Sequence, residues 1–307
     1  TLLVSVIGII FATLIGVTVG IGRLSSNYLV AKFSEIYVEI FRNIPLLLQL
    51  FFWYFAALRA LPLPEQAMNF NDISYLTVKG WYVPKFIWTN FSIFIYSVIG
   101  AIIAIIFVSK HAKKQREEFG KHFPTFYIGV ALLFALPFLS FLIGGVALKF
   151  EIPVLKQMSP TIFNFRGGVS IIPELMALAM ALSMYTATFI AENVRAGILG
   201  VGKGQKEAAA SIGLTKAQIL KLVVLPQAMR IIIPPTTNQY LNLTKNSSLA
   251  AAIAYPDLVL IFAGTALMQT GRAIEIVSIT MGTYLLLSLS ISLFMNWYNQ
   301  SVAIKEK

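Results

Sequence analysis

Apolar residues gather into seven long runs separated by stretches richer in charge, Gly and Pro: Thr1 to Gly22, Ile44 to Leu61, Phe91 to Ser109, Phe126 to Leu148, Ile172 to Val194, Ile231 to Ala254 and Glu275 to Tyr298. A helix that crosses a bilayer needs ~20 mostly apolar residues, because the hydrocarbon layer is ~30 Å thick and each residue rises ~1.5 Å. Each run reads as one such helix. The stretch from Ser92 to Phe107 is apolar without alternation, so a barrel of ~10-residue alternating strands does not fit. The pattern predicts an all-α polytopic membrane protein with seven spans, a single transmembrane domain over residues 1–307. Gly16 and Gly20, four apart in the first run, predict close helix contact there.

Composition agrees: 57% of the residues are hydrophobic and 12% charged, about half the charged share of a soluble domain. The 24 Lys and Arg against 13 Asp and Glu give a net charge of +11. In a membrane protein this excess is first a question of sidedness, since positive loops stay in the cytoplasm. One set of alternate loops, with the C-terminal tail, carries sixteen Lys and Arg and the other set seven, leaving Lys245 inside a span. The richer set, which includes the C-terminus, is read as cytoplasmic, and the charge as a topology signal rather than a nucleic-acid footprint. With no cysteine, disulfides, thiolate metal sites and cysteine nucleophiles are excluded. The chain opens inside an apolar run without Met or a basic leader, which reads as a trimmed start; one further helix ahead of Thr1 would put the true N-terminus in the cytoplasm.

The segments between spans differ in character. Residues 62–90, with Trp81 and Trp88, suit a periplasmic loop at headgroup level. His111 and His122 are eleven apart with no second ligand at metal-binding spacing, so no metal site is expected. The longest cytoplasmic segment is 195–230. Gly197, Gly202 and Lys203 imitate a phosphate-binding loop, but Gly204 stands where Ser or Thr would hold Mg²⁺ and a spanning helix precedes it, so ATP binding here is rejected. Glu207-Ala-Ala-Ala-Ser-Ile is strong helix-forming sequence, with Glu207 expected in the first turn and Gly213 ending it. Thr215 is the expected N-cap of a second short helix, closed by Pro226. Two short helices around a glycine turn make a knob suited to a partner's cleft.

These residues carry a resemblance. Glu207-Ala208-Ala209, then Gly213, then Val223-Val224-Leu225-Pro226 resembles the EAA motif of type I ABC-importer permeases, where Ile is more usual at the position of Val223. Phe41-Arg-Asn-Ile-Pro-Leu-Leu-Leu-Gln49, Tyr185 through Glu192 to Arg195-Ala-Gly, and Ile233-Pro-Pro-Thr-Thr-Asn-Gln-Tyr240 through Lys245-Asn-Ser-Ser-Leu249 are similar to the polar amino-acid branch of that family. The resemblance covers Thr1 to about Leu58 and Ile172 to the C-terminus. It implies a five-helix permease core, into which 91–148 inserts a helix pair, as in permeases of general L-amino-acid uptake systems. It also implies a bacterial inner-membrane subunit that forms the path for polar or general L-amino acids and has no ATPase site of its own. ATP and Mg²⁺ would belong to a partner ATPase dimer, no cofactor to this chain. The other implied partners are a second permease, expected as a homologue in a heterodimer, and a periplasmic amino-acid-binding protein. The coupling contacts carried over are Gln205, Glu207, Ala208, Ala209, Ile212, Gly213 and Leu214.

A charge inside a span is costly, which makes Lys245 a functional candidate. Lys245, Asn246, Ser247 and Ser248 offer a cation and hydrogen-bonding groups at one depth, suited to an amino acid's carboxylate and ammonium; helix packing is the alternative. Glu192 and Arg195, three apart, form either a local ion pair or a gate contact. Two other classes remain open. An ion-gradient-driven secondary transporter would show inverted repeats and buried carboxylates, and the halves here do not resemble each other. An intramembrane enzyme would need a His, Ser/Lys or Asp constellation at depth, and neither histidine lies in a span.

Overall fold

The computed structural model describes residues 1–119, 124–142, 147–159 and 162–302. Helices α1 (Leu2–Gly22), α2 (Tyr28–Asn43) and α3 (Leu46–Leu58) lead into strands β1 (Met68–Phe70), β2 (Ser74–Thr77), β3 (Gly80–Val83) and β4 (Lys85–Thr89). Then follow α4 (Phe91–Phe119), α5 (Thr125–Leu142), β5 (Ala147–Glu151), β6 (Val154–Ser159), β7 (Ile162–Arg166) and β8 (Val169–Ile171). The C-terminal half is helical: α6 (Pro173–Leu199), α7 (Lys203–Ser211), α8 (Lys216–Ile253), α9 (Leu260–Thr270) and α10 (Ala273–Val302). The chain divides into two compact units. The first comprises Thr1–Leu61, Val78–Gly80 and the described residues of Ile171–Lys307; the second holds Pro62–Thr77 and the described residues of Trp81–Ser170.

In the first unit α6 is the central post. Within its apolar window 56% is buried, against 28% for α1 and 6% for α10, so its neighbours wrap around it. Leu178, Leu182 and Ile190 of α6 pack with Val4 and Ala12 of α1, Leu50 of α3 and Leu243 of α8. The expected glycine contact is present. A Cβ on Gly16 would lie 2.7 Å from Ile190 Cβ and 2.9 Å from the Ala187 carbonyl, and one on Gly20 would lie 2.7 Å from the Ala191 carbonyl. Only glycine lets the two backbones approach this far.

Among the described residues, five of the seven apolar runs become helices long enough to span, one forms half of a bent pair and one a shorter helix, Tyr127–Leu142; a second short apolar helix, Leu260–Thr270, lies outside the seven runs. The run Ile44 to Leu61 is the main correction. Helix α3 has thirteen residues, ~20 Å at ~1.5 Å each, and is bent by 103° from α2, a helix formed by a charged stretch between two apolar runs. The corner has local causes. Asn27 Oδ1 caps α2 by accepting from the Leu29 and Val30 amides at 3.0 and 3.4 Å. Pro45 pushes Ile44 into an extended conformation (φ −91°, ψ 129°) and ends α2. Gln49 Nε2 then donates to the Phe41 and Ile44 carbonyls at 2.7 and 2.8 Å, filling acceptors the break leaves open.

Helix α8 extends well before Ile231, and Pro226 does not close a helix. It sits in the first turn of the Leu225–Asn246 section, straight after a π-helical stretch, Ile219–Val224. The wider turn accommodates a residue without an N–H, so the chain continues to the 3₁₀ stretch Ser247–Ile253.

In the second unit α4 and α5 pack on one another. The expected span Phe126 to Leu148 ends as a helix at Leu142, and β5 begins at Ala147. Residues 62–90 carry strands rather than only loop: one sheet runs β1-β2-β3-β8, while β4 pairs with β5 and β6 with β7, both antiparallel. Tyr75 and Tyr82 pack on Phe165 with ring centroids 4.5 and 4.8 Å away, and the Tyr82 hydroxyl bonds Asn164 Oδ1 at 2.8 Å. These partners are about ninety residues apart in the chain, which is why local pattern did not show the strands. His111 lies on α4; His122 falls outside the described residues.

Candidate functional site

The knob forms at the C-terminal end of α6. Helix α7 starts at Lys203, so Glu207 is its fifth residue and not in the first turn as expected; Gly202 starts it without a side-chain cap. Gly213 adopts φ +85°, the left-handed turn that ends the helix, with its amide bonded to the Ala210 carbonyl at 2.9 Å. Thr215 is the N-cap expected: the Gln218 amide donates to Thr215 Oγ1 at 3.4 Å, and the Thr215 amide donates to Gln218 Oε1 at 2.9 Å.

The predicted coupling residues divide by exposure. Gln205, Glu207, Ala208, Ile212 and Gly213 are exposed, with Ile212 at 77%. Ala209 is buried and Leu214 half-buried, and the Leu214 amide donates to the Ala209 carbonyl at 3.3 Å, so these two fasten the knob. Gln227 Nε2 donates to Gln205 Oε1 at 3.4 Å, tying α7 to α8. Among the described residues Glu207 has no ion-pair partner. Ile212, just past the end of α7, thus exposes an apolar side chain on the same knob as an uncommitted carboxylate.

Glu192 and Arg195 form the local pair that their spacing allows, with Nη2 to Oε1 at 2.6 Å. Sequence reasoning missed the third member. Arg23, just past the end of α1, pairs with the other carboxylate oxygen of Glu192, so the cluster joins α1 to α6. All three side chains are partly exposed, between 18% and 33%.

The Lys245–Ser248 quartet separates, as successive residues on a helix must. Lys245 and Ser248 line an open groove of about 480 Å³ with Thr280, Tyr284 and Ser288 of α10. Ser247 faces the core, fully buried, and donates to the Thr244 carbonyl at 2.8 Å; Asn246 is half-buried. Thr280, Tyr284 and Ser288 of α10 recur every fourth residue along the groove, whose remaining lining, Val259, Met281 and Leu285, is apolar.

Tyr284 is held by a residue the sequence reading passed over. Asp257 is 1% exposed; its Oδ1 accepts from the Leu260 amide at 2.8 Å, capping α9, and its Oδ2 accepts from the Tyr284 hydroxyl at 3.2 Å. A signal existed, since Pro256-Asp257 ahead of an apolar run is an N-cap pattern.

A family model described as "Binding-protein-dependent transport system inner membrane component" matches residues 118–304. The putative amino-acid ABC transporter permease protein YhdX of Escherichia coli K12 is 50% identical over 308 residues, covering 100% of this chain and 77% of its own length. The general L-amino acid transport system permease protein AapQ of Rhizobium johnstonii is 49% identical over 308 residues, covering 100% of this chain and 76% of its own. The glutamate/glutamine/aspartate/asparagine transport system permease protein BztB of Rhodobacter capsulatus is 38% identical over 319 residues, with 93% and 73% covered. Among solved structures, an amino acid ABC transporter with histidines aligns at TM-score 0.54 and 18% identity, over 97% of this chain and 88% of its own. An inward-facing MetNI methionine ABC transporter aligns at TM-score 0.51 and 15% identity, over 99% and 93%. At these identities the structural likeness concerns the fold.

Proposed function

The chain belongs to the family of binding-protein-dependent transport system inner membrane components, and from that premise we propose that it is the permease subunit of an ATP-driven importer of polar or general L-amino acids. The observation that carries the reading is the knob: the complete EAA spacing runs over α7, the Gly213 turn and the start of α8, with Glu207 and Ile212 exposed. The printed functions of the relatives support the substrate class. The ion-gradient alternative draws no support from them.

In this reading Gln205, Glu207, Ala208, Ile212 and Gly213 seat in a cleft of an ATPase subunit, while Ala209 and Leu214 hold the knob to its own protein. ATP and Mg²⁺ act on the ATPase dimer. A second permease, a homologue, completes the path, and a periplasmic amino-acid-binding protein delivers the solute. The coupling segment 195–230 and the C-terminus face the cytoplasm, supported by the sixteen-to-seven division of Lys and Arg. The pair 91–148 is an insertion into the five-helix core.

Movement of the knob has a direct route to the path. Helix α8 continues from the knob, and Lys216 to Lys245 covers ~44 Å at ~1.5 Å per residue. ATP-driven closure of the ATPase pair therefore displaces Lys245 and Ser248 through one continuous lever. Lys245 attracts the substrate carboxylate, and the hydroxyls of Ser248, Thr280 and Tyr284 supply hydrogen bonds across the groove. Glu192 with Arg195 and Arg23 closes the coupling end of α1 and α6. Glu207→Lys in the purified complex is expected to abolish binding-protein-stimulated ATP hydrolysis while the complex still assembles; full stimulated hydrolysis would refute the coupling role.

A further inference from the structure

A second polar site lies at the other end of α6, ~40 Å from the knob along its 27 residues. There the last turn of α3, the segment Val78–Lys79 and the first turn of α6 border an open pocket of about 400 Å³, all within the first unit, with Arg59 exposed and Tyr54 and Glu174 half-buried. That volume falls in the range of small-molecule sites, ~300–1,000 Å³. Its lining includes Arg59 and Lys79 as cations, Glu174 as the carboxylate and Tyr54 between them.

The arrangement around Tyr54 is informative. The Arg59 guanidinium sits over the phenol ring, 5.5 Å from its centroid, and the Tyr54 hydroxyl donates to Glu174 Oε1 at 2.8 Å. One aromatic side chain thus positions both charges while standing between them. Arg59 and Glu174 form no ion pair with each other. Among the described residues no acceptor takes the guanidinium N–H groups of Arg59, and Glu174 Oε2 has no partner. Leu58 and Pro173 give the pocket apolar wall. Opposite charges with unused hydrogen-bonding capacity, fixed by a rigid ring and kept from neutralising one another, are complementary to a small molecule carrying both charges. The planar fork of Arg matches a carboxylate and the free oxygen of Glu matches an ammonium.

We infer that this pocket binds a free α-amino acid as its zwitterion, with the α-carboxylate on Arg59 and the α-ammonium on Glu174, as a receiving site distinct from the Lys245 groove. The inference rests on the reading of the chain as an amino-acid permease and adds an entry site to it. Recognition through the groups common to all amino acids, with the side chain left toward the pocket mouth, suits a broad substrate range.

The test uses the assembled complex in lipid nanodiscs without binding protein, carrying Lys245→Met so that the groove does not contribute. Saturation-transfer NMR measures L-glutamine, N-acetyl-L-glutamine and L-glutamine amide, the second lacking the ammonium and the third the carboxylate. Glutamine is expected to bind and the other two are not. Arg59→Ala and Glu174→Gln should each weaken glutamine roughly 10- to 100-fold, the cost of losing a charge-assisted contact. Tyr54→Phe keeps the ring under Arg59 and should weaken it less. Unchanged thermal unfolding of the variants shows that they fold. The inference is overturned if glutamine does not bind, if either analogue binds equally well, or if the Arg59→Ala and Glu174→Gln complexes bind glutamine as tightly as the parent. Binding-protein-stimulated ATP hydrolysis by the unmodified complex, measured alongside, reports on the permease reading independently.

Discussion

Replacing Asp257 by Ala tests whether the wall of the Lys245 groove is held by one buried carboxylate. Asp257 is 1% exposed and accepts two hydrogen bonds, from the Leu260 amide at 2.8 Å and the Tyr284 hydroxyl at 3.2 Å. Loss of an N-cap costs ~0.5–2 kcal/mol. The Tyr284 hydroxyl, half-buried beside the open groove, loses a hydrogen bond worth ~0.5–1.5 kcal/mol. The cap and the stranded Leu260 amide are the same event, so the two figures combine to about 1–3.5 kcal/mol rather than to a full sum over three groups. Asp257→Asn retains an oxygen for the Leu260 amide and is expected to cost about 1 kcal/mol, as is Tyr284→Phe, which removes the donor instead of orphaning it. Unfolding of the purified protein in mixed micelles, followed by tryptophan fluorescence, provides the free energies, and the Asp257→Ala, Tyr284→Phe cycle isolates their coupling. The reasoning fails if Asp257→Ala lies within about 0.5 kcal/mol of wild type, or if the Ala and Asn variants are equally destabilised.

Packing and charge give two further expectations for the α1–α6 pair. Gly16→Ala places a methyl 2.7 Å from Ile190 Cβ and should destabilise by about 1–3 kcal/mol in the same unfolding assay, whereas Gly282→Ala, with nothing within 4 Å, should be neutral or gain up to ~1 kcal/mol. Arg23→Ala with Glu192→Ala should show a coupling of no more than about 1 kcal/mol that shrinks in high salt, because the groups are partly exposed; an additive cycle at low salt would remove Arg23 from the cluster.

The membrane character, most of the long helices and the knob were legible because each depends on residues near one another in the chain. Apolar runs give the helices, and Gly213 with Thr215 and Gln218 gives the turn and cap whatever surrounds them. Where local signals compete, the reading failed. The charges of α2 look like loop until it is known that Val38 packs inward and that Gln49 reaches back to close the corner. The start of α7 was misplaced because Gly204 argues against helix, and Pro226 because a π turn was not foreseen.

The sequence alone determined that this chain dissolves in a bilayer, which loops carry the positive charge, and which segment bears the EAA spacing, since composition and spacing are properties of one dimension. Tertiary structure decided that Arg23 meets Glu192 and that Asp257 holds Tyr284. It also gathered Tyr54, Arg59, Lys79 and Glu174 around one pocket. Those pairings join residues up to 169 positions apart, and only the packing of α1, α3, α8 and α10, on α6 and on one another, brings them within reach.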